Sequence, residues 1–350
     1  MSQAGRDAGE RARGAPALPY FHPTTVVLVD DEPRILQTAS RLLENCPAVA
    51  RVESFARAQD ALAWLAQRPA PGPEDGGFEG ARVRDVLAAD ARTLVRSIDL
   101  PLAGLPARLA RSRTAGHVSV VVSDFAMPGM DGLEFFARLP ADGTRRVLLT
   151  ALCDERDAVA AFNEGWIHRF LHKGDPRGPL ALPQDVASEA RAWFAARLAH
   201  VAAALRAGPG GQFPAHPAVA EWLEGAAREG ACREYCFRAD PPGFHLDGEG
   251  PGSRFLALAD AGEFERCARV VGEVEGDADL AAALRARAVM PVARDGQAIY
   301  EHGAQWRAAA LVPAPLGRAS GIWCVLLEGA LEGLHGGAGD AGAQEDEPAG

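Results

Sequence analysis

Val118-Ser119-Val120-Val121-Val122-Ser123-Asp124-Phe125-Ala126-Met127-Pro128-Gly129-Met130-Asp131-Gly132 is the stretch on which the reading of this chain turns. Its first part is β-branched and almost wholly apolar, the composition of a strand buried on both faces, as in parallel sheets. The strand ends at Asp124, and Pro128-Gly129 then breaks the run before a short helix predicted over Gly132 to Leu139. A buried strand that stops on a carboxylate puts that group at the carboxyl edge of a sheet, where open α/β sheets bind their ligands.

The pattern repeats on both sides. Upstream, Thr24-Thr25-Val26-Val27-Leu28-Val29 is another apolar run, and it stops on Asp30-Asp31. Pro33 then opens a helix in its first turn, where the missing N–H costs nothing, with Ile35, Ala39, Leu42, Leu43 and Cys46 as its apolar stripe. Val49 to Glu53 reads as a strand and Ala58 to Ala66 as a helix. Downstream come a strand over Arg146 to Leu149 ending at Thr150, a helix over Asp157 to Asn163, and a strand over Ile167 to Leu171 followed by Lys173. A long helix from Pro183 to about Arg206 closes the unit. Five strands alternating with helices predict a doubly wound α/β fold on a parallel sheet. One insertion interrupts it, at about 67–116. Pro69-Ala70-Pro71-Gly72-Pro73 lies near its start, and Val83, Val86, Leu87, Ala91, Leu94, Val95 and Ile98 follow at helical spacing, so a helical insertion is expected.

Asp30, Asp31, Asp124, Thr150 and Lys173 therefore each follow a predicted strand and are expected to converge on one sheet edge. Three carboxylates in one place attract a hard divalent cation, and Mg²⁺ is held by one or two carboxylates together with phosphate oxygens and water. A carboxylate is a poor nucleophile toward another anion, but a cation that neutralises an incoming phosphoryl group lets an aspartyl phosphate form. Lys173 supplies a compact positive charge for a phosphoryl oxygen, and the Thr150 hydroxyl can hydrogen-bond the attached group. Lys173 is the only lysine of a chain whose other strong bases are all arginine, which favours a specific need for an ammonium there. Each residue alone has a plain structural reading: Asp30 and Asp31 as helix caps, Asp124 as a loop acid, Thr150 as an ordinary strand end. The conjunction is what argues against those readings. His168 and His172 are four apart, but in a strand that separates them by ~13 Å, so packing is expected and not a metal pair.

These residues resemble the receiver domain of two-component response regulators: the paired Asp30-Asp31 after a strand, Asp124-Phe-Ala-Met-Pro-Gly-Met-Asp-Gly, Leu-Leu-Thr150-Ala, and Phe170-Leu-His-Lys173. The resemblance covers about Thr24 to Arg206. It implies a flavodoxin-like five-stranded parallel sheet. It also implies Asp124 as phosphoacceptor, Mg²⁺ held by Asp31 and Asp124 with Asp30 through water and the Ala126 carbonyl, and Thr150 with Phe170 as a switch pair. A histidine kinase or phosphotransfer protein is the implied donor. There are departures. Gly174 stands where receivers usually have proline, which puts a cis bond there in doubt. Ala126 and Leu152, at the two positions that tune dephosphorylation, are both apolar, so slow loss of the phosphoryl group is expected. The insertion is the third departure.

Past the receiver (20–206) and a linker (207–215), residues 216–332 read as a small α+β domain. A helix over His216 to Gly230 precedes strands over Glu234–Arg238, Gly243–Leu246 and Phe255–Leu258. Helices over Glu263–Gly272 and Leu280–Ala288 follow, then strands over Gln297–Tyr300, Ala308–Val312 and Ile322–Leu327. With Glu234-Tyr235-Cys236, then Arg254-Phe-Leu-Ala-Leu-Ala-Asp260 and a closing Trp323-Cys-Val-Leu-Leu-Glu-Gly329, this part resembles an extension found in some receiver proteins for which no activity is implied. Residues 1–19 read as a disordered leader without a signal peptide and 333–350 as an acidic, Gly/Ala-rich disordered tail.

Charge narrows the output. The chain carries −11, and from Leu205 onward 12 Arg face 22 Asp and Glu. Binding to a phosphate backbone needs a basic footprint, so a DNA-binding output is disfavoured. No run approaches the ~20 apolar residues of a membrane span, and a cytoplasmic protein is expected. Cys232 and Cys236 lack a matching second pair, so reduced thiols are expected and not a zinc site. The function that follows is a signalling switch, phosphorylated on Asp124, acting through a downstream protein contact or a homodimer. The alternative is an enzyme or small-molecule sensor gated by the receiver.

Overall fold

The computed structural model describes residues 16–68, 82–87, 94–99, 116–140, 142–151, 155–174, 178–207, 210–248, 253–317 and 320–329. In chain order the elements of the first half are β1 (Tyr20–Phe21), β2 (Thr24–Val29), α1 (Pro33–Glu44), β3 (Val49–Phe55), α2 (Ala58–Ala66), β4 (Arg82–Leu87), β5 (Leu94–Asp99), β6 (Val118–Ser123), α3 (Gly132–Ala137), β7 (Arg145–Thr150), α4 (Glu155–Asn163), β8 (Arg169–His172) and α5 (Gly178–Arg197). Then follow α6 (Ala199–Ala207), α7 (Gln212–Ala215), α8 (Pro217–Arg228), β9 (Glu234–Ala239), β10 (Pro242–Asp247), β11 (Arg254–Ala259), α9 (Ala261–Val270), α10 (Ala278–Arg285), α11 (Trp306–Ala309), β12 (Ala314–Pro315) and β13 (Trp323–Glu328).

Strands β3-β2-β6-β7-β8 form a parallel five-stranded sheet in that order. Successive residues of a strand point to opposite faces, and here each face meets its own helices. Val26 and Leu28 join Ala39 and Leu43 of α1 and Leu182 and Val186 of α5 in one core. Val27 and Val29 join Ala58 and Ala61 of α2 and Phe135 and Phe136 of α3 in another. A strand covered on both sides has no reason to alternate polar and apolar residues, which is why β2 and β6 read as near-continuous hydrophobic runs. The order reverses direction beside β2, so β2 and β6 diverge from a crevice at their carboxyl ends.

The second sheet is antiparallel, in the order β1-β9-β10-β11-β13-β12. Leu256 and Leu258 of β11 face the same core as α1 and α5, while Phe255, Ala257 and Ala259 face α9 and α10. One hydrophobic core thus runs from the parallel sheet, through α5 and α8, into the second sheet.

Several sequence expectations give way here. The described parts of the 67–116 insertion are a hairpin and not a helix: β4 pairs antiparallel with β5, with Val83 opposite Ile98 and Val86 opposite Val95. These positions satisfy a helical spacing as well, but β-branched residues lose rotamer freedom in a helix and suit a strand. Tyr20 and Phe21, expected in the receiver, belong to the second sheet, paired with Cys236 and Tyr235. The end of the expected leader is tied down too, since the Ala17 N–H donates to the Pro214 carbonyl at 2.7 Å. The expected linker contains α7, whose Phe213 is fully buried. The expected helix from Pro183 starts instead at Gly178, with Pro183 inside it, and its continuation to Ala207 is a separate helix. In place of strands at 297–300 and 308–312 there is a 3₁₀ turn over Ile299–Gln305 followed by α11. Trp306 is responsible: it is buried, and its Nε1–H donates to the Asp277 carboxylate at 2.9 Å, which fixes the chain as a turn. Residues 1–15 and the tail at 333–350 lie outside the described residues. Among the described residues, no helix is long and apolar enough to cross a membrane.

Candidate functional site

The backbone brings the strand ends together first. The Asp124 N–H donates to the Val29 carbonyl at 2.8 Å and the Asp30 N–H to the Phe55 carbonyl at 3.1 Å, so the acids that follow β2 and β6 stand side by side. The Lys173 N–H donates to the Thr150 carbonyl at 2.9 Å, which aligns the ends of β7 and β8. Lys173 then reaches back across the crevice. Its Nζ lies 2.7 Å from Asp30 Oδ2 and 3.1 Å from Asp124 Oδ2. The second oxygen of each acid accepts a backbone N–H, from Glu32 at 2.9 Å for Asp30 and from Phe125 at 2.8 Å for Asp124. Both carboxylates are thus held by one backbone donor and one shared ammonium.

The loop after Asp124 is anchored by Met127 and Met130, both buried against α2 and α3. Gly132 is needed where the loop turns back. A Cβ there would stand 2.3 Å from the Asp124 carbonyl oxygen, and its N–H donates to the Phe125 carbonyl at 2.8 Å. Asp131 caps α3 by accepting the Glu134 N–H at 2.7 Å. The loop therefore holds Asp124 by steric closeness as well as by hydrogen bonds. Gly132, part of the sequence motif, is the residue whose lack of a side chain lets this loop close on Asp124.

Burial sets the electrostatics. Asp30, Asp124 and Thr150 are buried, and Asp31 is the least covered of the acids. Burial pushes the Asp30 carboxyl above the usual carboxylate range, although Lys173 and the Glu32 N–H oppose it. Burial works against the Lys173 ammonium, but its bonds to Asp30 and Asp124 outweigh that and hold it above the ordinary lysine range. Carboxylate oxygens of Asp30, Asp31 and Asp124 lie within 4.8 Å of one another. Three acids against one ammonium leave an uncompensated negative charge in a partly dry crevice, and all the donors are hard oxygens. That set fits Mg²⁺.

The remaining expected residues are placed as follows. Phe170 is half-buried and packs at the edge of the α2–α3 core. Ala126 is exposed beside Asp124, and Leu152 lies outside the described residues. His168 and His172 do not form a metal pair. His168 Nδ1 accepts the Arg146 N–H at 2.9 Å, and burial, aided by the Arg145 charge, takes its pKa down to about 4. His172 Nδ1 accepts the Gly174 N–H at 3.0 Å. The cis peptide among the described residues is Asp240–Pro241, not Lys173–Gly174. The cysteines among the described residues are all free thiols.

A five-stranded parallel sheet of this order is the flavodoxin-like fold of receiver domains, joined here to an antiparallel sheet with one strand before it and the others after it. The chain is similar over 89% of its length, and 89% of the other, to the Legionella pneumophila response regulator LqsR, with a TM-score of 0.66 at 22% identity. The signal receiver domain of an HD domain-containing protein from Pseudomonas fluorescens Pf-5 matches 51% of this chain and 98% of its own, at 22% identity and a TM-score of 0.31. The Vibrio cholerae chemotaxis protein CheY4 matches 47% of this chain and 98% of its own, at 20% identity and a TM-score of 0.29. No protein-family model and no curated protein sequence matches the chain.

Proposed function

We propose that this chain is a response regulator in which Asp124 accepts a phosphoryl group from a histidine kinase or phosphotransfer protein. The observation that carries the reading is the Lys173 ammonium held between Asp30 and Asp124, 3.1 Å from the latter, at the mouth of the parallel sheet. Asp124 Oδ2 is the attacking oxygen. Its carboxylate keeps its orientation because Oδ1 is tied to the Phe125 N–H. Attack on phosphorus forms the Oδ2–P bond as the bond to the donor's leaving atom breaks, and that atom leaves with the electron pair. Lys173 can follow the new phosphoryl oxygens while staying paired with Asp30, and Thr150, buried at the end of β7, supplies a hydroxyl to receive one of them. Asp30, Asp31, Asp124 and the Ala126 carbonyl are the groups that would hold Mg²⁺. Bound there, the ion neutralises phosphoryl charge.

Ala126, exposed and without a hydrogen-bonding side chain, supports slow loss of the group, because its methyl group cannot orient an attacking water. Output by protein contact, including a homodimer, is favoured by an exposed apolar stripe on α4 and the turn after it, where Val159, Phe162 and Trp166 are 58%, 56% and 41% exposed. A catalytic extension is less well supported. The cavity beside α10, of about 410 Å³, has two acids on its wall, and both are engaged. Asp277 caps α10 and accepts from Trp306, and Asp279 pairs with Arg307.

The test is intact-mass measurement after incubation with acetyl phosphate. Wild type with Mg²⁺ is expected to gain one phosphoryl group, while wild type in EDTA and Asp124→Asn gain none. Equal uptake by wild type and Asp124→Asn overturns the assignment.

A further inference from the structure

Helix α5 is buried on two sides, and the two sides belong to different sheets. Toward the parallel sheet it packs on β6, β7 and β8, the strands whose ends carry Asp124, Thr150 and Lys173. Its Glu189 is the tie. Only 5% of this side chain is exposed, and it accepts from Arg145 Nε at the start of β7 at 2.8 Å and from Arg169 Nε at the start of β8 at 2.9 Å. Asp185, one turn earlier, takes a second nitrogen of Arg169 at 2.6 Å. The helix is thus fixed to the β7–β8 pair by charge-assisted bonds in a half-buried setting, where such bonds resist sliding.

Two residues beyond Glu189 the helix grips the other sheet. Arg191 Nη1 meets Glu224 of α8 at 3.0 Å, and its guanidinium lies over the Phe21 ring of β1 at 5.8 Å. Phe194 packs against Phe21 at 5.2 Å and Tyr20 at 6.1 Å, and Phe21 stacks on Tyr235 of β9 at 5.9 Å. The covalent chain doubles the connection, because only His22 and Pro23 separate β1, in the second sheet, from β2, which leads to Asp30. Arg233 adds a bond from the other direction, donating to the Val49 carbonyl of β3 at 3.2 Å.

A close-packed core transmits displacement because its contacts have few alternative arrangements. We propose that α5, through its Glu189–Phe194 stretch, is a two-sided connector that carries the state of the Asp124 site into β1, α8 and β9, so that the extension is repacked in place and is not released. This inference rests on the proposed phosphorylation of Asp124. Movement of Lys173 or Thr150 toward a phosphoryl group shifts β7 and β8. Glu189 and Asp185 pass that shift to α5, and Arg191 and Phe194 pass it to the second sheet.

Amide hydrogen exchange of the full chain, with Mg²⁺ and beryllofluoride as the phosphoryl probe against Mg²⁺ alone, tests it. Acetyl phosphate uptake is measured by mass in parallel. The expected result is a change of about tenfold in exchange within 213–246, a coupling of ordinary allosteric size, together with the change around 124–132. Arg191→Met lies outside the phosphoryl site and should keep phosphoryl uptake while the response in 213–246 falls to a small fraction. If wild type takes up phosphate but exchange changes only around the acidic site, or if Arg191→Met responds like wild type, the connector is wrong and the function stands. If no phosphate is taken up, the proposed function itself has failed.

Discussion

Lys173→Met removes the one cation that two buried carboxylates share, and the geometry sets the size of the effect. At 2.7 and 3.1 Å the ammonium gains ~6 and ~5 kcal/mol of attraction with an effective dielectric of about 20. Much of that offsets the desolvation of three charged groups, and breaking a buried pair by deleting one partner typically costs 3–5 kcal/mol. With Lys173 12% exposed and the crevice open on the Asp31 side, about 3 kcal/mol is expected at neutral pH in EDTA. The deficit should shrink on acidification. Lys173 opposes the burial that raises the Asp30 carboxyl, so without it that carboxyl holds its proton more tightly in the folded state than in wild type, and the variant gains more as pH falls through that range. Mg²⁺ at roughly a hundred times its Kd should restore about 2.7 kcal/mol, because it binds the folded chain alone. Urea denaturation of both proteins, with and without Mg²⁺, reads these differences as midpoint shifts at unchanged slope. A variant as stable as wild type in EDTA at neutral pH would refute the shared-ammonium picture.

Gly132→Ala forces a Cβ to within 2.3 Å of the Asp124 carbonyl and should cost about 3 kcal/mol while also cutting phosphoryl uptake; unchanged uptake and midpoint would show that the loop relaxes freely. Phe194→Ala, at the joint of the two sheets, should cost roughly 3–5 kcal/mol in a single urea transition, whereas two separated transitions would show that the halves unfold independently. For His168, a base whose folded pKa is lowered to about 4, the unfolded chain binds the proton first on acidification. Stability should therefore fall between about pH 6.5 and pH 4, and His168→Gln should flatten that part of the profile; an equally steep profile in the variant would assign the slope to other groups.

The parallel sheet was legible because its strands are short apolar runs that stop on chemically distinctive residues. Asp30, Asp124, Thr150 and Lys173 mark four strand ends, and Lys173 bridges two of the acids. The hairpin was not legible, because positions 83, 86, 87, 94, 95 and 98 fit a helical stripe as well as two facing strands. Nor was β1, where Tyr20 and Phe21 form two rungs whose partners lie more than two hundred positions away. Its pairing depends on tertiary packing against Phe194 and Tyr235 and not on local propensity. The role of α5 was partly written in its composition. Leu182, Val186, Ala190, Trp193 and Phe194 are buried and recur at helical spacing as one broad apolar face, which marks a core helix but does not by itself show that it meets two sheets. Trp306 explains the failed strands of the extension, since a single buried anchor with a polar partner overrode a short apolar run.

The most direct measurement locates the phosphoryl group. After incubation with acetyl phosphate and Mg²⁺, borohydride reduction converts an aspartyl phosphate to homoserine, which peptide sequencing by mass spectrometry assigns to a position. The account predicts homoserine at position 124 in wild type and at no position in Asp124→Asn. Homoserine at Asp30, Asp31 or any other acid, with residue 124 intact, would contradict it.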